Sequence, residues 1–116
     1  MIVMKFGGTS VEDAAAIRNA GHLIRERVHR KPLVVVSACA GVTSSLIGIA
    51  QLASEGDRAA PGLLRDLSER HLALAEELLD ARRPDVSALI RDDAQSVSEL
   101  CAGLSLLREL TPRTLD

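Results

Sequence analysis

Leu33-Val34-Val35-Val36-Ser37-Ala38-Cys39-Ala40-Gly41-Val42-Thr43-Ser44 joins four apolar residues, three of them β-branched, to a loop of small side chains. A run of this kind, without alternation, is the pattern of a strand buried on both faces of a parallel sheet. The strand should stop at Ser37 and the loop should turn through Ala38 to Val42. A helix then follows through Leu46, Ile47, Ile49, Ala50 and Leu52. Toward the amino terminus the same order occurs once before. Ile2 to Phe6 is β-prone, Gly7-Gly8 stops it, and Thr9-Ser10 with Asp13 three residues on resembles a helix-capping signal. Ile17, Gly21, Ile24 and Val28 recur at helical spacing and the pattern ends before Pro32, so an amphipathic helix should pack on the sheet. Strand, small-residue loop and helix, twice over, predict an α/β chain with parallel strands and a crossover connection.

Toward the carboxyl terminus the pattern changes at residues 56–62. Leu64, Leu67, His71, Leu74 and Leu78 mark one long helix, and Pro84-Asp85 restarts the chain. Val86, Leu89, Ile90, Val97, Leu100, Leu104 and Leu107 mark a second, and together they read as an antiparallel helical hairpin. Asp93 interrupts that stripe and reads as a solvated side chain. Thr111 to Asp116 reads as a proline-containing turn followed by the start of another element. The expected organisation is therefore a βαβα part over 1–56, a helical hairpin over 57–111, and an element beginning at 112–116.

Composition narrows the function. Of 116 residues 47% are apolar and 26% charged, with a net charge of -2, a profile that excludes disorder and fits one domain at most. No apolar run approaches the roughly 18 to 20 residues of a membrane span, and neither a leader peptide nor a membrane surface is indicated. Phe6 is the single aromatic residue, so base stacking is not available, and balanced charge gives no basic face for nucleic acid. Cys39 and Cys101 are far apart with no ligand spacing about them, which argues against a disulfide framework or metal centre and for a cytoplasmic location.

Two constellations carry chemistry. Lys5-Phe6-Gly7-Gly8-Thr9-Ser10 places a lysine at the end of a strand, immediately before a glycine pair and a helix start. Glycines allow close backbone approach, amides near a helix start favour anions by about 0.3 to 1 kcal/mol, and a lysine adds a mobile charge. This is a phosphate cradle as plausibly as it is a tight turn with an incidental lysine. It is neither a Walker A loop, where lysine follows the glycines, nor a GxGxxG fingerprint. Lys5 is also one of only two lysines in a chain that otherwise uses arginine.

The second constellation is residues 37–44. Ligands of open α/β sheets lie beyond the carboxyl ends of the strands, so both loops should open on one side. Ser37, Thr43 and Ser44 offer hydroxyls for a small polar substrate, while Thr43 or Ser44 serves equally well as a helix cap. Cys39 has no histidine or carboxylate close in sequence and reads as a small packed thiol. His71 on a leucine stripe reads as a packed, hydrogen-bonded histidine, and Glu76-Glu77 as a solvated face.

KFGGTSV at 5–11, VVVSACAGVTS at 34–44, a helical hairpin and ELTPRTLD at 109–116 together resemble the amino-terminal part of aspartate kinases, in the amino acid kinase superfamily. Acetylglutamate, glutamate 5- and uridylate kinases share an early lysine, but the wording of the two motifs favours aspartate kinase. The resemblance implies an amino acid kinase-like domain that is incomplete here. It implies ATP-dependent phosphorylation of the side-chain carboxylate of L-aspartate to 4-phospho-L-aspartate, the entry to lysine, threonine and methionine biosynthesis. By motif match Lys5 would stabilise the transferring phosphoryl group, and Lys5, Phe6, Gly7, Gly8, Thr9 and Ser10 would bind the ATP phosphates. Ser37, Gly41 and Thr43 would bind aspartate. Mg2+ would accompany ATP with no ligand residue in this chain, and the intact enzyme would be a homo-oligomer.

Cys39 stands where the family often has methionine and Ser44 where asparagine is common, and neither removes a charge. The family's substrate-binding glutamate, its GGSD-type motif, nucleotide pocket and regulatory domains have no counterpart in these residues. The chain is therefore expected to be inactive by itself. The alternative is a free-standing binding or assembly module that keeps the fold of this lobe.

Overall fold

The computed structural model describes residues 1–115, with side chains through residue 110. The elements run β1 (Ile2–Gly8), α1 (Ala14–Glu26), β2 (Pro32–Cys39), α2 (Val42–Ser54), α3 (Ala60–Leu78) and α4 (Arg83–Leu115), with 3-10 turns at Thr9–Val11 and Val28–Arg30. Two compact units divide the chain, Met1–Thr43 and the residues from Ser44 onward.

In the first unit β1 and β2 pair in parallel, as the βαβ order requires. Phe6, Val11 and Ala20 form its core, with Met4, Ile17, Leu23 and Ile24 packed against them. Met4 and Phe6 are two apart on the strand and share a face, while Val3 and Lys5 take the other. On α1 the inward positions Ala14, Ile17, Ala20, Leu23 and Ile24 follow helical spacing. Asp13 is the cap: its backbone is extended and its Oδ1 accepts the Ala16 amide at 2.8 Å. The Thr9-Ser10 pair expected to cap the helix lies in the preceding 3-10 turn instead.

Two expectations for this unit are corrected. Val28 lies beyond α1 and is 65% exposed, because the helix ends at Glu26 and a 3-10 turn leads to Lys31 in the left-handed region. The valine run of β2 is not buried on both faces, for Leu33 is 54% and Val36 62% exposed. A two-stranded sheet gives β2 one neighbouring strand, and the single crossover helix packs on the residues of β1.

In the second unit Ile49, Ala53, Ala60 and Leu64 form the core, joined by Leu52, Leu67, Val97 and Cys101. Gly56, at φ 71°, turns the chain after α2, and the Asp57 carboxylate accepts the Ala59 amide at 2.8 Å ahead of α3. Ser105 Oγ donates to the Ala53 carbonyl at 2.9 Å, a second hydrogen bond to an oxygen that also accepts the Gly56 amide at 3.0 Å, so α4 is tied to the end of α2. α3 and α4 form the expected hairpin. The face of α4 that packs carries Val97 and Cys101, whereas Leu89, Leu100, Leu104 and Leu107 are exposed. α4 thus has two apolar stripes, and periodicity merges them. Asp93 is solvent-exposed, and His71 Nδ1 lies 2.8 Å from the Leu67 carbonyl, the packed histidine expected. At Pro112, where a turn is expected, the backbone is helical to Leu115, and proline's φ of about -65° is itself a helical value. Asp116 lies outside the described residues.

Candidate active site

Parallel pairing brings the carboxyl ends of β1 and β2 to the same edge, so the connections at 9–13 and 40–41 leave the sheet side by side. The pairing is regular from Ile2↔Pro32 to Phe6↔Val36 and then slips to Gly8↔Cys39. Between those pairs β2 carries one residue more than β1, so Ser37-Ala38 forms a bulge, a device common beside active sites because it re-aims a side chain. The side chain re-aimed is that of Ser37. Its Oγ accepts the Gly8 amide at 3.0 Å and donates to the Ala38 carbonyl at 2.8 Å.

Glycine is needed at position 8, where φ is 49° and ψ -109°, a conformation L side chains rarely adopt. At Gly7 a Cβ would stand 3.6 Å from Ser37 Oγ, ordinary contact, so space alone does not demand glycine there. Gly41, at φ 80°, turns the second loop directly into α2, and Thr43 falls in the first turn of that helix. Lys5 is exposed on the face of β1 opposite Phe6, two residues before the glycine pair.

The structure therefore joins Gly8 and Ser37 by a hydrogen bond, with Gly7 and Lys5 on the same strand as Gly8 and Thr9 and Ser10 in the next turn. Gly41 and Thr43 lie on the other loop at the same edge, and both are exposed. Phe6 is different, since it is buried in the core and offers a potential phosphate only its backbone. A 3-10 turn separates Gly8 from the start of α1, where Asp13 Oδ1 accepts the Ala16 amide. An anion at this loop would meet the backbone of Gly7, Thr9 and Ser10 and the side chain of Lys5.

One neighbour was not legible in the sequence. Asn19 lines, with Thr9, Ser10 and Ala16, a shallow cavity of about 180 Å3 beside the glycine loop. It sits on an exposed helical position, where asparagine carries no signal. Cys39 is a half-buried free thiol. Among the described residues no group of three or more His, Cys, Asp and Glu gathers. Glu12 and Asp13 are the carboxylates nearest in sequence to the glycine pair, and Asp13 Oδ1 accepts the Ala16 amide.

The family model described as "Amino acid kinase family" matches residues 1–111. Aspartokinase 2, chloroplastic, of Arabidopsis thaliana is 32% identical over 117 residues, covering 98% of this chain and 21% of the relative. An aspartokinase of Chlamydia trachomatis serovar D is 47% identical over 77 residues, covering 66% and 17%. Lysine-sensitive aspartokinase 3 of Escherichia coli K12 is 28% identical over 134 residues, covering 100% and 30%. The chain thus spans from about a sixth to under a third of the length of these relatives. With a parallel βαβ core, a glycine loop at the end of β1 and aspartokinases as its relatives, the chain belongs to the amino acid kinase family.

Proposed function

We propose that this chain supplies part of the active site of an aspartate kinase, which transfers the γ-phosphoryl group of ATP to the side-chain carboxylate of L-aspartate. The carboxylate oxygen forms the new bond to phosphorus as the bond to the bridging oxygen breaks, and ADP leaves with the electron pair. The products are 4-phospho-L-aspartate, the entry to lysine, threonine and methionine biosynthesis, and ADP. No protein nucleophile is needed, because the substrate carboxylate is one. Positioning and charge stabilisation account for most of such a reaction.

In this reading the amides of Gly7, Thr9 and Ser10 hold phosphate oxygens, Gly8 shapes the turn with its amide bound by Ser37, and the Lys5 ammonium lies toward the charge that builds on the transferring group. Gly41 and Thr43, with Ser37, form the aspartate side. Mg2+, when bound with ATP, would neutralise phosphate charge. The full reaction belongs to a polypeptide of the relatives' length, acting in the cytoplasm as a homo-oligomer. Among the described residues no helix is long and apolar enough to cross a membrane.

The observation that carries the proposal is the hydrogen bond from the Gly8 amide to Ser37 Oγ, which ties the two loops that a two-substrate site must bring together. The test is acceptor choice. A polypeptide containing this sequence and extended to the relatives' length should release ADP from ATP when given aspartate, with a hydroxamate formed when hydroxylamine is present, and should release none with glutamate, acetylglutamate or uridylate. Preference for any of these three would transfer the chain to another branch of the family.

A further inference from the structure

The resemblance places Ser37 among residues that hold aspartate, but its hydroxyl is already occupied in a specific way. A serine hydroxyl has one proton and two lone pairs. The proton goes to the Ala38 carbonyl at 2.8 Å, since a carbonyl can only accept. One lone pair takes the Gly8 amide at 3.0 Å. Both bonds tie the hydroxyl to backbone groups of the two paired strands.

The surrounding backbone explains the arrangement. The slip from Phe6↔Val36 to Gly8↔Cys39 interrupts the ladder at the step where β1 turns into its glycine loop. The Gly8 amide, in a backbone conformation that only glycine adopts readily, is bound by a side chain across 29 positions of sequence. Gly7 lies against the same oxygen, 3.6 Å from its would-be Cβ.

We infer that Ser37 is a positioning residue for the phosphate loop: its hydroxyl latches the Gly8 amide through the β2 bulge and holds the Gly7-Gly8 turn in its binding shape. The inference rests on the proposed function only for what the loop binds; the latch itself is a property of this chain.

Amide hydrogen exchange of the isotopically labelled chain tests this directly, with wild type, Ser37→Ala and Ser37→Thr compared and inorganic tripolyphosphate as the probe of the loop. In the wild type the Gly8 amide should exchange more slowly than those of Thr9 and Ser10. Ser37→Ala should speed Gly8 exchange up to about tenfold, as expected for one lost hydrogen bond, while Val34 and Val35 keep their rates. Ser37→Thr, which retains the hydroxyl, should restore protection. Tripolyphosphate should shift the Gly7 and Gly8 amides of the wild type and of Ser37→Thr more than those of Ser37→Ala.

An unprotected Gly8 amide in the wild type would overturn the latch whether or not the variants fold. So would unchanged Gly8 exchange in Ser37→Ala, or a threonine variant no better than alanine. Protection of Gly8 lost in Ser37→Ala and restored in Ser37→Thr, without any phosphate-induced shift in the wild type, would support the latch and overturn the phosphate reading of the loop.

Discussion

Lys5 and Asp13 lie eight positions apart and take opposite parts in the same loop. Lys5 leaves its ammonium free on the outer face of β1, whereas Asp13 uses its carboxylate to close α1. In a polypeptide of the relatives' length, Lys5→Ala should lower kcat by about 10^2 to 10^3, the usual effect of removing one charge-stabilising group, as steady-state kinetics would read. Asp13→Ala should cost about 1 kcal/mol of stability by thermal or urea unfolding, with little effect on phosphate binding. An Asp13→Ala chain that binds tripolyphosphate markedly tighter would show that the capped helix start belongs to the anion site after all. Lysine, glycine pair and helix were legible from the sequence, but the identity of the cap was not. Thr9, Ser10 and Asp13 are all capping types, and the choice depends on which backbone is extended where the helix begins. The role of Ser37 was hidden for a related reason: a bulge shows in the pairing of two strands, not in either strand alone.

β2 illustrates how far an apolar run can be read. Its unbroken valines correctly announce a parallel strand, yet burial depends on neighbours that the run cannot count, and here they number one. Between Lys31 and the end of the strand no charge interrupts the free edge, whereas β1 carries Lys5 near its middle. An uncharged, exposed, β-branched edge is a site of strand-to-strand association. The chain by itself should therefore show concentration-dependent self-association in sedimentation, and Val35→Lys should reduce it without loss of helical circular dichroism. A wild type that remains monomeric at high concentration would contradict this. The hairpin is the counterpart case. Its helices and their return were legible from spacing, but α4 presents two leucine-rich stripes and only packing against Ile49, Ala53 and Leu64 selects Val97 and Cys101. Leu64→Ala should accordingly destabilise the second unit by about 2 to 5 kcal/mol in equilibrium unfolding, a loss that Leu100→Ala on the exposed stripe should not share.

At the scale of the whole molecule, a two-stranded sheet sends one loop from each strand to the same edge, where under the proposed function two ligands would meet. The residues that would grip phosphate and aspartate are almost all exposed, and the sheet beneath them has an uncovered second strand. The relatives are several times longer, so the surfaces that would enclose ATP and aspartate correspond to sequence outside these 116 residues. Phosphoryl transfer depends on enclosure and positioning, and the first loop and strand provide orientation without enclosure. The most direct test is ATP-dependent hydroxamate formation from aspartate, measured in parallel on the 116-residue chain and on a polypeptide extended to the relatives' length. The expected result is turnover by the extended polypeptide alone, falling at least about hundredfold with Lys5→Ala. Comparable turnover by the 116-residue chain, or an extended Lys5→Ala variant that keeps its rate, would contradict the assignment of this loop as half of an aspartate kinase site.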